Sequence, residues 1–392
     1  MGKNNYKIEA ICATACIFIL NPLMGTFAAG IIALYQKSDI SLFYFIFLIS
    51  IFLGLINTTK VLESDILGYS EAFMMAKTTD LFPYLKEFGK EPVYYSFMYF
   101  FSKILHAEFK FFIFFQTLIS YIFYLNAVKK FQQKINGKRS AILFAISIAT
   151  LFFELFSLSA HLLRQFLAAS IFLYYLIDKL FYSKNKWGYL ILSIFIHSSV
   201  LLFVPLLFFP FLKKRLNIWK LILTILFFGL MFHFIPVLSL FIVNKAGIGF
   251  ATYVFSRTAS SSFDDNSTII SAVLIIINLI LILYGIYKNY IFKTDSDSEI
   301  YFNHIIMFLA FFVLISLNQP LLALRFNFYS YFIFPMAVSA IISKINLKSF
   351  FPVIANLIII IMLYRFGYKL ENGAFTFLPL LNIIINPLFF YL

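Results

Sequence analysis

The chain has 392 residues, of which 62% are hydrophobic and 12% charged, and its formal net charge is +14. A mean hydropathy of +0.92 and repeated apolar runs of about eighteen or more residues exclude an ordinary soluble domain and predict an all-α, polytopic integral membrane protein. The lysines and arginines lie mostly in short loops between continuous apolar runs. We attribute the positive charge to the positive-inside bias and expect no nucleic-acid partner.

Apolar segments of spanning length follow one another along the chain with short loops between them. Each is long enough to cross the lipid bilayer as a helix, which needs about twenty residues. With two interrupted segments, they predict about ten to twelve transmembrane helices, with re-entrant or hairpin segments, in a single membrane domain of residues 1–392. The uninterrupted predicted spans are 40–57, 109–128, 140–158, 163–181, 216–235, 269–287, 300–317, 326–343 and 349–365.

The two interrupted segments do not fit a simple crossing. In residues 8–35 the pair Asn21-Pro22 breaks the apolar run, which predicts either a hairpin or a Pro-kinked single helix. Residues 187–211 have basic clusters at both ends, so a single crossing would put one cluster on the wrong side of the membrane. We therefore predict a hairpin or re-entrant pair with His197 near its tip, because such a break is tolerated where it lines a protein cavity.

The basic loops also indicate which loops face outward. The turn at residues 129–139 contains lysines and an arginine but no acid, so we place it in the cytoplasm. Alternation from this turn puts two longer loops outside, at about 58–92 and 236–268. Residues 92–105 are rich in tyrosine and phenylalanine and too short to span, so we expect them to lie in the membrane interface.

The distinctive polar residues all map to the predicted outer side, where they indicate a cavity. Arginine and histidine at membrane depth are costly and usually face a cavity or a partner. Arginine binds phosphate or carboxylate groups in a bidentate way, so a lipid-linked pyrophosphate is a natural ligand. The candidate substrate-binding residues are Arg164, Gln165, His161, Arg325, Tyr329, Tyr69 and Arg257. The candidate proton acceptors for an attacking sugar hydroxyl are His197, Asp65 and Glu91.

The same residues also fit structural roles. Arg164 and Arg325 could extend along the membrane to the interface, and His197 could be a hydrogen-bonded packing residue. Asp65 and Glu91 could be solvated loop acids or helix caps. The sequence has no clustered His, Cys and carboxylate spacing typical of zinc and no phosphate loop or dinucleotide fingerprint, so we expect no metal and no cofactor.

A set of short motifs resembles a known family. Arg164-Gln165-x-x-Ala168, a span, a short basic turn and then His197-Ser198-Ser199 resemble the EpsG branch of the Wzy-type polysaccharide polymerases. Asp65-x-x-x-Tyr69 and Glu91-Pro92 resemble the first outer loop of that family, and Arg325 with Tyr329 resembles its late Arg/Tyr element. The resemblance covers about residues 40 to 345.

The resemblance implies a GT-C-like membrane glycosyltransferase of the bacterial inner membrane. Such enzymes polymerise O-antigen, capsule or exopolysaccharide repeat units carried on undecaprenyl pyrophosphate, at the outer face of that membrane. The expected partners are therefore a lipid-linked donor, a lipid-linked acceptor and the bilayer, with a chain-length regulator as a further candidate. Neither a nucleotide sugar nor an obligatory metal is implied.

Two other classes of function remain open. An O-antigen ligase or a membrane acyltransferase would work in the same pathway, but a ligase usually has one dominant outer loop, whereas two moderate loops share the polar residues here. A flippase or transporter of the lipid-linked unit should have two pseudo-equivalent halves. We find no internal duplication in the sequence.

Overall fold

The computed structural model describes residues 2–36, 38–63, 65–88, 91–217, 219–224, 226–227, 267–318, 320–343, 351–373 and 376–391. All regular secondary structure within these residues is helical, which confirms the all-α class. The helices group into two compact units, Met1–Leu201 with Val338–Leu392, and Leu202–Ala337.

The first unit holds the helices that carry most of the candidate residues. Its core is a series of neighbouring helices in which α10 packs on α7, α7 on α3, α3 on α2 and α2 on α1, while α11 packs on α10. These helices are α1 (Gly2–Leu20), α2 (Pro22–Gln36), α3 (Asp39–Thr58), α4 (Asp65–Thr78), α5 (Leu81–Phe88), α6 (Pro92–Tyr99), α7 (Phe109–Ile135), α8 (Arg139–Leu151), α9 (Phe153–Ser159), α10 (Leu163–Tyr182) and α11 (Trp187–Ile196).

The second unit begins with short 3₁₀ turns and continues with long apolar helices. These helices are α12 (Ser267–Ile286), α13 (Asp297–Ile315) and most of α14 (Pro320–Ile342). Helix α12 packs on α13, and buried asparagines join α12 to α14, since Asn278 Nδ2 donates to Asn327 Oδ1 at 2.7 Å. The chain then returns to the first unit with α15 (Phe351–Asn372) and α16 (Leu380–Ile385).

Five helical segments in the described residues are long and apolar enough to cross a membrane. The number rises to six if α8 and α9, which are bent by 57° at Phe152, form one broken span. Helices α10 and α14 coincide with two more predicted spans. The multi-pass helical character is thus confirmed, while the count of about ten to twelve spans and the GT-C-like fold remain predictions.

The local sequence explains where several of these helices begin and end. Ser38 caps α3, because its hydroxyl accepts a hydrogen bond from the Ser41 backbone N–H. Helix α7 extends beyond the predicted span end at 128 to Ile135, because helix geometry continues through the polar residues that leave the apolar region. Helix α10 ends at Tyr182, and the C-cap residue Ser183 that follows adopts the left-handed conformation with φ 54°.

Both interrupted apolar segments are broken at the predicted places. Helices α1 and α2 meet at Asn21 and pack so closely that a Cβ on Gly25 would lie 2.3 Å from Phe18 Cα. In one kinked helix, Phe18 and Gly25 would be about two turns apart along the axis and could not approach so closely. The structure therefore favours the hairpin here. In the second segment α11 ends at Ile196, and His197 is extended with φ −155° and ψ 122° before 3₁₀ turns begin.

The first predicted outer loop is itself largely helical. Helices α4 and α5 lie within residues 58–92, and α6 continues into a π-helical turn at Phe100–Ile104. The second predicted loop, at about 236–268, lies outside the described residues except for its last two positions. The structure therefore describes only the first loop in detail.

Candidate functional site

Arg164, the second residue of α10, is the centre of a polar cluster in the first unit. Its Nη1 donates to Glu91 Oε2 and its Nε donates to the Tyr69 hydroxyl at 3.0 Å. The guanidinium carbon lies 5.2 Å from the ring centroid of Tyr69 and 5.5 Å from that of Tyr95. The Arg164 side chain is still 28% exposed, so a ligand can reach it.

Glu91 connects this arginine to a histidine. It precedes Pro92 at the start of α6 and is buried. One carboxylate oxygen accepts from Arg164, and the other, Oε1, lies 3.5 Å from His197 Nε2. Residues from three distant parts of the sequence thus meet at one carboxylate. A buried carboxylate between an arginine and a histidine fixes the orientation of both side chains.

The position of His197 at the break after α11 determines its tautomer. The backbone N–H of Ser199 donates to Nδ1 at 3.2 Å, and the Ser199 hydroxyl lies 2.7 Å from the same nitrogen. Because Nδ1 accepts, a neutral ring carries its proton on Nε2, which faces Glu91. His197 is therefore arranged to donate to Glu91, and its basic nitrogen faces Ser199.

A second titratable cluster lies where α3, α4 and α10 begin or end. Lys60 Nζ is 3.5 Å from His161 Nδ1, and His161 Nε2 is 3.5 Å from Asp65 Oδ2. Burial lowers the pKa of Lys60 to about 8. Burial, together with the charge of Lys60, also lowers the pKa of His161.

The two clusters share their supporting elements. Asp65 and Tyr69 are four residues apart on α4, so they lie on one face of that helix. His161 lies in the turn before α10, three residues ahead of Arg164. The same short segments thus position both clusters.

Helix α7 contacts the start of α10, next to Arg164, through a series of buried polar contacts. The Tyr94 hydroxyl donates to Gln116 Oε1 at 2.8 Å, and Gln116 Nε2 donates to the Leu163 carbonyl oxygen at 2.6 Å. The Tyr69 and Tyr94 rings meet edge-on at 5.9 Å, and burial raises the pKa of Tyr69. These contacts fix the start of α10, and with it the base of the arginine.

The structure brings together most of the predicted site residues. Within the first unit, one cluster contains Tyr69, Glu91, Arg164 and His197, and the adjoining one contains Asp65 and His161. Gln165 is also in this unit, but it is buried. Its predicted contact with substrate remains a prediction.

The other predicted residues belong to the second unit or lie outside the described residues. Arg325 is half-buried on α14, and Tyr329 is buried one turn later, with its ring 4.6 Å from that of Phe203. Arg257 lies outside the described residues. The roles of all three in substrate binding remain predictions.

Two residues of this region were not among the sequence candidates. Lys60 follows the predicted span 40–57 and is one of four lysines in the predicted outer loop 58–92, so no local pattern distinguishes it. Gln116 is a polar residue in the apolar part of α7. Such residues often mark polar contacts between helices.

The described residues contain no group of three or more His, Cys, Asp or Glu side chains that could hold a metal ion. Cys12 and Cys16 are free thiols on the exposed surface of α1. The side chains that meet in the two clusters are an arginine, carboxylates, histidines, a lysine and tyrosines. This combination can bind an anion and move a proton.

Comparison with known proteins gives one match. The sequence model of the EpsG family matches residues 42–383, which extends about forty residues beyond the expected end of the resemblance near 345. The matched range includes every described site residue. No curated protein and no solved structure matches the chain.

Proposed function

The chain belongs to the EpsG family of polysaccharide polymerase-type membrane proteins, and we propose that it is a glycosyltransferase that polymerises lipid-linked repeat units. The proposed substrates are oligosaccharides on undecaprenyl pyrophosphate, one as donor and one as acceptor. The proposed location of the reaction is the outer face of the bacterial inner membrane. A chain-length regulator is proposed as a partner protein.

The observation that supports this proposal best is the arrangement around Arg164. A partly exposed guanidinium, held by Tyr69 and Glu91 at the start of a long apolar helix, suits the pyrophosphate of a membrane-embedded lipid. In the reaction the hydroxyl oxygen of the acceptor sugar attacks the anomeric carbon of the donor chain. The bond from that carbon to the pyrophosphate oxygen breaks, and the pyrophosphate leaves with the electron pair. Arg164 would stabilise the charge that develops on it.

Glu91 and His197 suit positioning better than proton transfer. A carboxylate paired with arginine is stabilised in its ionised form and is therefore a weaker base. His197 presents its protonated nitrogen to Glu91. We assign both residues to holding the guanidinium in place, and keep Arg325, Tyr329 and Arg257 as proposed contacts to the second lipid-linked unit.

A deletion strain distinguishes this function from its alternatives in the same pathway. Loss of a polymerase leaves products of one repeat unit, loss of a ligase leaves none on the final acceptor, and loss of a flippase stops export. We expect single-repeat products, and recovery of long chains with the wild-type gene but not with a gene encoding Arg164→Ala at equal protein level. Absence of repeat units from the cell surface would instead support the flippase, and would contradict the proposal.

A further inference from the structure

We propose that Lys60, His161 and Asp65 form a proton relay that removes the hydroxyl proton of the acceptor sugar from the reaction site. This inference rests on the proposed polymerase function, because it needs a reaction that releases a proton. It assigns a role to Lys60 and a joint role to three side chains that otherwise appear as separate charges around the start of α10.

The three side chains form a continuous path from a buried position to solvent. Lys60 is 5% exposed, whereas the Asp65 side chain is 57% exposed. The imidazole of His161 lies between them, with Nδ1 toward the lysine and Nε2 toward the carboxylate, each at 3.5 Å. A histidine that contacts one group through each ring nitrogen can accept a proton on one side and release another from the other side.

Three titratable side chains surround Lys60. Glu63 and Asp65 follow it in the chain and favour its charged form, and His161 reaches it from the turn before α10. Glu63 also accepts a hydrogen bond from the Thr376 backbone N–H at 3.3 Å. Burial outweighs both carboxylates, which is why the lysine pKa falls to about 8 rather than rising.

The pKa values of Lys60 and His161 suit proton transfer near neutral pH. A lysine with a pKa near 8 has a substantial neutral fraction at physiological pH, unlike an exposed lysine. The lowered pKa of His161 keeps the ring mostly neutral, so it can still accept a proton. A general base works best when its pKa lies near the operating pH.

The proton balance of the step is complete without any further reactant. As the acceptor oxygen bonds to the anomeric carbon, its proton passes to the neutral amine of Lys60, directly or through a bound water. The resulting ammonium passes a proton to His161 Nδ1, and the ring releases its Nε2 proton to Asp65 and then to solvent. The electron pair of the broken bond leaves with the lipid pyrophosphate.

The relay predicts a conflict between stability and activity at Lys60. At a pH where Lys60 is protonated in the unfolded chain, burying it lowers the free energy of unfolding. An apolar side chain of similar length at this position should therefore give a more stable protein. The native pKa lies below the unfolded value, so the folded state binds fewer protons between about pH 8 and pH 10.5. The full destabilisation is therefore present below about pH 8 and disappears as the pH rises through that window.

The test measures elongation of lipid-linked repeat units against pH, with purified full-length protein in liposomes. Lys60→Met and Lys60→Arg are compared with the wild type and with Lys86→Met, a control at an exposed lysine on α5. We expect the wild-type rate to rise with pH toward about 8. In both Lys60 variants we expect the rate to fall by about 100-fold, the usual scale of proton-transfer catalysis, and this rise to disappear. Lys86→Met should match the wild type.

Thermal unfolding of the same proteins separates a relay from a structural role. Lys60→Met should unfold at a temperature equal to or above that of the wild type below pH 8, and this advantage should shrink at higher pH. A wild-type rate and pH profile in Lys60→Arg would overturn the relay, because arginine keeps the charge but does not release its proton. If the wild type elongates and both Lys60 variants have its rate and pH profile, the relay is overturned but the proposed polymerase function is not. Absence of elongation by the wild type at every pH would overturn the proposed function as well.

Discussion

The two ends of α10 both place a buried carboxylate between two basic side chains, yet the two arrangements differ in what they can bind. At the start of the helix, Glu91 lies between Arg164 and His197. Near the end, Asp178 lies between Lys130 and Lys186, the latter at 3.0 Å. Both carboxylates are buried and both ends have a partly exposed cation, but at the start it is an arginine, 28% exposed, and at the end it is a lysine, Lys186, 41% exposed.

The surroundings explain the difference. The Lys130 ammonium lies 4.1 Å from the centre of the Tyr174 ring and also donates to the Tyr174 hydroxyl at 2.9 Å, so it is held on α10 by a second residue besides Asp178. At the other end Arg164 is flanked by Tyr69 and Tyr95 and remains accessible. Two lysines that share one fully buried carboxylate tie α7 and α10 to the segment before α11. The planar guanidinium of Arg164, by contrast, can bind a phosphate in a bidentate way.

The largest expected effect is on elongation when Arg164 is changed. Arg164→Lys keeps the positive charge but loses the planar fork, so we expect elongation to fall by about 100-fold or more, as for removal of one transition-state hydrogen-bond donor. The protein level in the membrane should hold. The matched control is Lys130→Arg at the opposite end, which should elongate at the wild-type rate per molecule. Equal losses in both variants would show that the two ends do not differ in function.

The next largest effect is on stability, at the end of α10 near Asp178. Asp178→Asn leaves two lysines without their shared carboxylate, so we expect the free energy of unfolding to fall by about 3 kcal/mol, the lower end for breaking a buried ion pair, because both lysines are partly exposed. Denaturant unfolding in detergent measures this change. Elongation per folded molecule should stay at the wild-type value. A variant that folds normally but no longer elongates would place chemistry at this end and reverse the comparison.

The two ends also differ in how far the sequence predicts them. Apolar run length predicted most helix positions, because membrane spans depend on local hydropathy. Topology and motifs predicted the residues around Arg164. They did not predict that Glu91 contacts both Arg164 and His197. That contact depends on how α6, α10 and α11 pack, which no local pattern records.

The buried groups that the sequence analysis missed have a common cause. Asp178 precedes Lys179 near a helix end, and Lys60 follows a span, so both resemble ordinary interfacial charges. Gln116 is one of several polar residues in α7. Their burial and partners are consequences of tertiary packing. The polar character of Gln116 within the apolar part of α7 was a signal that the sequence itself contained.

A smaller effect is expected at His197, and it tests the assignment of roles at the first cluster. His197→Gln keeps a side-chain N–H that can donate to Glu91, so we expect elongation to stay within about threefold of wild type. His197→Ala removes the donor, and we expect a fall of about tenfold, the scale of one hydrogen bond to a charged group. Elongation rates at several pH values measure both variants. If His197→Gln elongates as slowly as His197→Ala, and both lose the pH dependence of the wild type, His197 accepts the proton of the acceptor hydroxyl. Our assignment of His197 to positioning would then be wrong.

The most direct test of the central claim is elongation in liposomes that contain purified protein and lipid-linked repeat units on the accessible face. Wild type, Arg164→Lys and Lys130→Arg are compared at equal amounts of folded protein, and the product length is measured. We predict long chains from wild type and Lys130→Arg, and single repeat units from Arg164→Lys. Long chains from Arg164→Lys, or movement of the lipid-linked unit across the bilayer without elongation by the wild type, would contradict the account.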